Sequence, residues 1–246
     1  DFSVFRIYAD KNNAPAEYSK DNVPYHPLQY ARVSTQGYQD GSYAMTLGYP
    51  GSTDRYLSSY GIESTMRTLN DVRYQVRGVK LDVLREVMRQ SDSIRIMYAS
   101  KYASSSNYWK FSLGQNQALE NLKVVEEKQQ QEQDLKEWSK KDVNKRGKYI
   151  CALDSLKSIY ESEDSVLYGN NLWMESFYRG SDILGLVLKN VASLNRGSED
   201  EKFQEKVENA YKNIDVETDK KVFLSLLKNY VKQASETKFQ IHEILH

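Results

Sequence analysis

The sequence predicts a mainly α fold with a small β part at its N-terminal end. Three observations point there. All four prolines, Pro15, Pro24, Pro27 and Pro50, fall in the first fifty residues of a 246-residue chain, and a long proline-free stretch rich in Leu, Lys, Glu and Gln favours helix. The first sixty residues hold short apolar runs between Asn, Asp, Gly and Pro, a strand and turn pattern. From Ile62 the apolar spacing changes to three and four, the period of a helix. A boundary near residue 61 follows, with a β unit at 1–61 and a helical unit at 62–246.

In the β unit, DFSVFRIYAD has apolar residues on both faces of an alternating pattern and reads as a buried strand. A loop rich in Asn, Asp and Pro follows. YARVS and GSYAMTLGYPG read as two further strands, the second ending in a Gly-Tyr-Pro-Gly turn at Gly48–Gly51. So few strands do not make a stable sheet alone. The chain has no N-terminal methionine and reads as a segment of a longer protein.

In the helical unit, Ile62, Met66, Leu69, Val72, Val76, Val79, Val83 and Val87 form one face of a long helix. Further helices are marked by Leu119, Leu122 and Leu135; by Ile150, Leu153, Leu156 and Tyr160; and by Ile183, Leu184, Val187, Val191 and Leu194. A capping box from Ser198 to Glu201 precedes Phe203, Val207 and Tyr211. Val222, Leu226 and Tyr230, then Phe239, Ile241 and Ile244, mark the last pair. The run EEKQQQEQDLKEW reads as a solvated helix face. The acidic clusters Glu161, Glu163, Asp164 and Glu199, Asp200, Glu201 read as helix starts, where they suit the positive end of the dipole. Ser104, Ser105 and Ser106 read as a helix break, because short polar side chains compete for backbone hydrogen bonds.

Composition removes several classes of function. Lysine plus arginine equals aspartate plus glutamate at 34 each, and the basic residues are not striped, so neither nucleic acid nor an anionic surface is favoured as a partner. No run is long enough for a membrane span. The single cysteine, Cys151, cannot form an internal disulfide and reads as an inert core thiol. His242-Glu243-Ile244-Leu245-His246 has the H-E-x-x-H spacing that sets two imidazoles one helical turn apart around zinc. His26 is the one other histidine, no downstream third ligand follows, and no metal or cofactor is expected. Gly48–Tyr56 lacks the lysine and spacing of a phosphate loop.

DFSVFRIYADK, EYSKDNVPY, MTLGYPGSTDRYLSSYGIE and IRIMYASKYASSSNYWK together resemble the bacterial serine dipeptidyl-peptidases of the dipeptidyl-peptidase 7 and 11 type, which include dipeptidyl aminopeptidase BII. Four motifs occur in the right order, from Asp1 to about Glu120. The resemblance implies a partial chymotrypsin-like β-barrel segment followed by an inserted α-helical cap domain. It implies that Asp1 is the aspartate of a Ser-His-Asp triad, orienting the histidine and stabilising its imidazolium. The histidine and serine would lie elsewhere in the parent, so this stretch alone should be inactive. The resemblance also makes Asn107 an acceptor for the substrate's amino terminus, with Tyr108 and Trp109 as supporting packing. The implied partners are peptides with a free amino terminus, the implied parent a homodimer of the periplasm or cell surface. Preference at the residue before the cleaved bond is not legible. Two other classes compete: a helical interaction module with no catalytic parent, and a zinc hydrolase using the C-terminal HEILH.

Overall fold

The computed structural model describes residues 4–45, 47–49, 51–141, 143–194 and 201–236. The chain divides into two compact units, residues 1–53 and 54–246.

In the first unit the described β structure is one antiparallel pairing, β1 (Tyr8–Ala9) with β2 (Val23–Pro24), in register Tyr8 to Pro24 and Ala9 to Val23. Asp10 closes the intervening loop by accepting from the backbone N–H of Asn12 and Ala14 at 2.8 and 2.9 Å. Asn13, at φ 65°, clasps the backbone of His26 with its side-chain amide, donating and accepting at 2.8 Å; asparagine tolerates this left-handed conformation better than most residues. The long strands expected from the sequence are absent among the described residues. Val4 and Phe5 are 85% and 87% exposed, and Tyr30–Ser34 and the described residues of 41–51 form no ladder. A two-residue pairing provides no second layer on which alternating apolar residues could pack.

The second unit begins with α1 (Ser59–Ser64), whose N-cap Ser58 accepts from the Gly61 N–H at 3.2 Å. A π-helical turn, Thr65–Asn70, leads directly into α2 (Asp71–Gln90). Then come α3 (Asp92–Asn121), α4 (Val124–Lys140) and α5 (Val143–Trp173). A second π-helical turn, Met174–Tyr178, precedes α6 (Asp182–Leu194), α7 (Glu201–Tyr211) and α8 (Val216–Glu236). Val72 and Val76 of the helix face read from the sequence, with Leu84 of α2, pack with Tyr98 of α3, Leu172 of α5, and Val222 and Leu226 of α8. Leu81 and Leu84 lie between the residues of that reading and are buried as well, so α2 is a central helix with a wide apolar face.

The first π turn is held by side chains. Widening the helix frees carbonyls from the regular ladder, and Asn171 donates to the Thr68 carbonyl at 3.0 Å and Asn116 to that of Met66 at 3.3 Å. Fully buried Asn70 donates to Gln115 and Asn116, both at 2.8 Å.

Four expectations change. Ser104–Ser106 lie inside the unbroken 30-residue α3; α3 ends later, where Lys123 takes φ 52° between α3 and α4. Glu161, Glu163 and Asp164 sit in the body of α5 rather than at a helix start, and Asp164 accepts from Ser64 at 2.7 Å and pairs with Arg67. Cys151 is exposed, because the apolar seam of α5 runs through Leu153 instead. The solvated α4 has a tertiary anchor in Glu132, which accepts from the backbone N–H and hydroxyl of Ser59 at 2.7 Å each. Of the other acidic cluster, Glu201 opens α7, while Glu199, Asp200 and the capping serine Ser198 lie outside the described residues.

Candidate functional site

The site is built on α3 and the face of α2 beside it. Tyr98, Ser105 and Ser112, seven residues apart, are the buried residues of α3. Seven residues are nearly two helical turns, so they fall on one side. The two serines are small enough for the helices to approach closely. Tyr98 anchors the far end: its hydroxyl accepts from the Asp215 N–H at 3.2 Å, and burial pushes its pKa upward.

Three consecutive residues then point in different directions. Trp109 stacks on Tyr74 of α2 with ring centroids 5.2 Å apart and an 18° interplanar angle. Gly78 makes room for it, since a Cβ there would sit 3.3 Å from the indole Nε1. Tyr108 lies against two guanidinium groups, with Arg77 at 4.8 Å and Arg73 at 5.5 Å from its ring centroid, within the range of cation–π attraction. Asn107 immediately precedes these two anchors in sequence, is exposed, and has no hydrogen-bond partner among the described residues. Its side-chain oxygen is an acceptor with open capacity.

The guanidinium groups are themselves fixed. Glu175, on the second π turn and 3% exposed, accepts from Arg77 Nε at 2.7 Å, Arg179 Nη1 at 2.8 Å and Arg73 Nε at 3.3 Å. Burial pushes the Glu175 carboxyl up, but the hydrogen bonds and charges of Arg77 and Arg179 outweigh it and hold the group below its usual range. Nothing in local sequence signals this centre, because its acid and two of its bases stand 98 and 102 positions apart. Nearby, Lys101 donates to Asp182 and to the Asn213 carbonyl at 2.6 Å each. Asp219 accepts from Ser181 Oγ at 2.8 Å and the Asp182 N–H at 2.6 Å, fixing the start of α6.

Of the residues singled out from the sequence, Asn107, Tyr108 and Trp109 are thus held on one rigid helix, while Asp1 lies outside the described residues. His242 and His246 also lie outside them. The model of the Peptidase S46 family matches residues 1–246. The chain belongs to that family. It is 42% identical over 229 residues to dipeptidyl-peptidase 7 of Porphyromonas endodontalis, covering 92% of this chain and 28% of that protein. It is 40% identical over 184 residues to the Asp/Glu-specific dipeptidyl-peptidase of Capnocytophaga gingivalis, covering 75% of this chain and 26% of that one. The crystal structure of Porphyromonas endodontalis DPP11 in complex with the dipeptide Arg-Glu superposes with a TM-score of 0.66 at 28% identity, over 93% of this chain and 34% of that one. The S46 chain described here therefore spans about a third or less of the length of these relatives.

Proposed function

We propose that this chain is part of a serine-type dipeptidyl-peptidase, in which the helical unit caps a chymotrypsin-like catalytic site and Asn107 receives the substrate's amino terminus. The observation that carries the reading is the state of Asn107. It is exposed and uncommitted, on a helix whose next two side chains are both pinned to α2. An exopeptidase that releases two residues at a time has to locate a free ammonium group at a fixed distance from its nucleophile. A preorganised neutral acceptor does this without the desolvation penalty of another buried charge. The names of the relatives, all dipeptidyl-peptidases, and the dipeptide in the structural neighbour support the same substrate class.

In this reading Asp1 is the triad aspartate. It holds the catalytic histidine in the tautomer that accepts the serine proton, then stabilises the imidazolium while the acyl-enzyme forms. Histidine and serine come from other parts of the parent, so the 246-residue stretch alone cleaves nothing. The parent is a periplasmic or cell-surface homodimer.

The test is Asn107→Ala in the full-length enzyme. Loss of a hydrogen bond to a charged group lowers kcat/KM for dipeptidyl substrates about 10- to 100-fold. An unchanged kcat/KM removes Asn107 from the site.

A further inference from the structure

One cavity beside this site has a composition that recognition of an amino terminus does not require. It occupies about 550 Å³ between α2, α3 and α6, and six cationic side chains line it: Arg73, Arg77, Lys80, Lys101, Arg179 and Lys189. No carboxylate belongs to the lining. Glu175 and Asp182 contact these cations, which leaves four positive charges in excess. The opposite wall offers three hydroxyls, those of Ser100, Ser104 and Ser105, none of them with a hydrogen-bond partner among the described residues.

We infer that this cavity is an oxyanion-binding site, built to take a phosphate or carboxylate group between the arginine and lysine side chains and the serines of α3. Like charges are held together here at a cost that an anion relieves. The groups are also preorganised. Arg73 and Arg77 are bonded through Nε to Glu175 and lie against Tyr108, and the terminal nitrogens of Arg73 have no hydrogen bond among the described residues. The Lys189 ammonium packs on the Tyr178 ring, at 5.4 Å, and has no hydrogen bond or ion pair among the described residues. Guanidinium groups present paired donors that match oxyanions, and serine hydroxyls add further donors. Burial, reinforced by Arg77 and Lys101, holds Lys80 below the ordinary lysine range despite Asp182 and Asp219, a bias that a bound anion would reverse.

The test is calorimetric titration of inorganic phosphate into the full-length protein, at ionic strength held constant with chloride. The expected result is saturable binding that weakens about tenfold in Lys189→Ala and in Arg73→Gln, each having lost one charge-assisted hydrogen bond. Lys189→Ala leaves the Glu175 cluster untouched and keeps the test valid if Arg73→Gln misfolds. Lys110→Ala, on α3 but outside this cavity, should bind like the parent. No saturation by about 10 mM phosphate, or equal affinity in parent and Lys189→Ala, overturns the inference. Repeating the titration with tri-glutamate or tri-glutamine present identifies the source of the group. Displacement by tri-glutamate alone assigns the cavity to acidic side chains of peptides; no displacement assigns it to free oxyanions. Because the readout is binding, failure here leaves the peptidase reading standing, and the converse also holds.

Discussion

Residues 1–53 and 54–246 use apolar side chains in opposite ways. In the first unit Val4, Leu28, Val33, Tyr38 and Tyr49 are all at least 85% exposed, and one two-residue pairing provides the β structure described. In the second, Val72, Leu84 and Leu226 are fully buried at the meeting of α2, α3 and α8. The difference teaches that the helical unit builds a buried core of its own, although Ile96 and Leu122 stay exposed, whereas the β unit presents apolar surface of the sort that normally meets another layer. Under the proposed function, that layer is the rest of the catalytic barrel.

The sharpest way to break this contrast is to separate the two units. Residues 54–236 alone should unfold cooperatively with helical circular dichroism, while a peptide of residues 1–53 should show no cooperative transition; a cooperative transition in that peptide would erase the distinction. Next in size is Glu175→Gln, which leaves the scarcely exposed Arg73 and Arg77 side chains without their anion. Breaking a buried pair in this way costs about 3–5 kcal/mol, read as a shift in the urea midpoint. Leu84→Ala should cost about 2–5 kcal/mol by opening a cavity in the core. By contrast, Phe5→Ser should move the stability of this chain by no more than about 0.5 kcal/mol and that of the full-length protein by much more. Equal small effects in both would mean that Phe5 has no covering layer in the parent.

Acid provides a finer probe of the helical unit. Glu175 and Asp215 both have folded pKa values lowered from their usual 4.5 and 3.8. For Asp215 the chief cause is the hydrogen bonding from Thr218 at the start of α8. A carboxylate depressed by folding contributes stability that is complete above its unfolded pKa and disappears as pH falls through the folded value. The stability these two carboxylates contribute should therefore be constant down to about pH 5 and disappear below about pH 4. Glu175→Gln should flatten most of that slope, and Asp215→Ala, a lost cap worth about 1 kcal/mol, a smaller part.

What the sequence revealed follows from the range of the forces involved. The apolar period of Val72, Val76 and Val87 is a local pattern, and it placed the core face of α2 correctly. The resemblance singled out Asn107 as an acceptor with Tyr108 and Trp109 as supporting packing; all three lie on α3, and the last two side chains pack against α2. Ser104–Ser106 misled because the helix penalty of serine is small, and tertiary packing around buried Ser105 outweighs it. The strands at 30–34 and 41–51 failed for the opposite reason, since strand formation needs a pairing partner that the described residues do not provide. Glu175 looked like any acidic residue with a basic residue four positions on, because its other two partners, Arg73 and Arg77, come from α2 and become visible only when the chain is folded.

The π turn at Thr65–Asn70 has a bearing on how this family can change length. A widened turn holds one residue more than regular helix needs, and each residue rotates the chain by about 100° around the axis. Deleting a single residue there would restore an ordinary helix without breaking it. The cost would appear upstream, where Ser59 and Ile62 would turn away from the surfaces they now meet, and Glu132 would lose the two hydrogen bonds that tie α4 to α1. The turn is a one-residue spacer that sets the rotational phase between two stretches of one continuous rod.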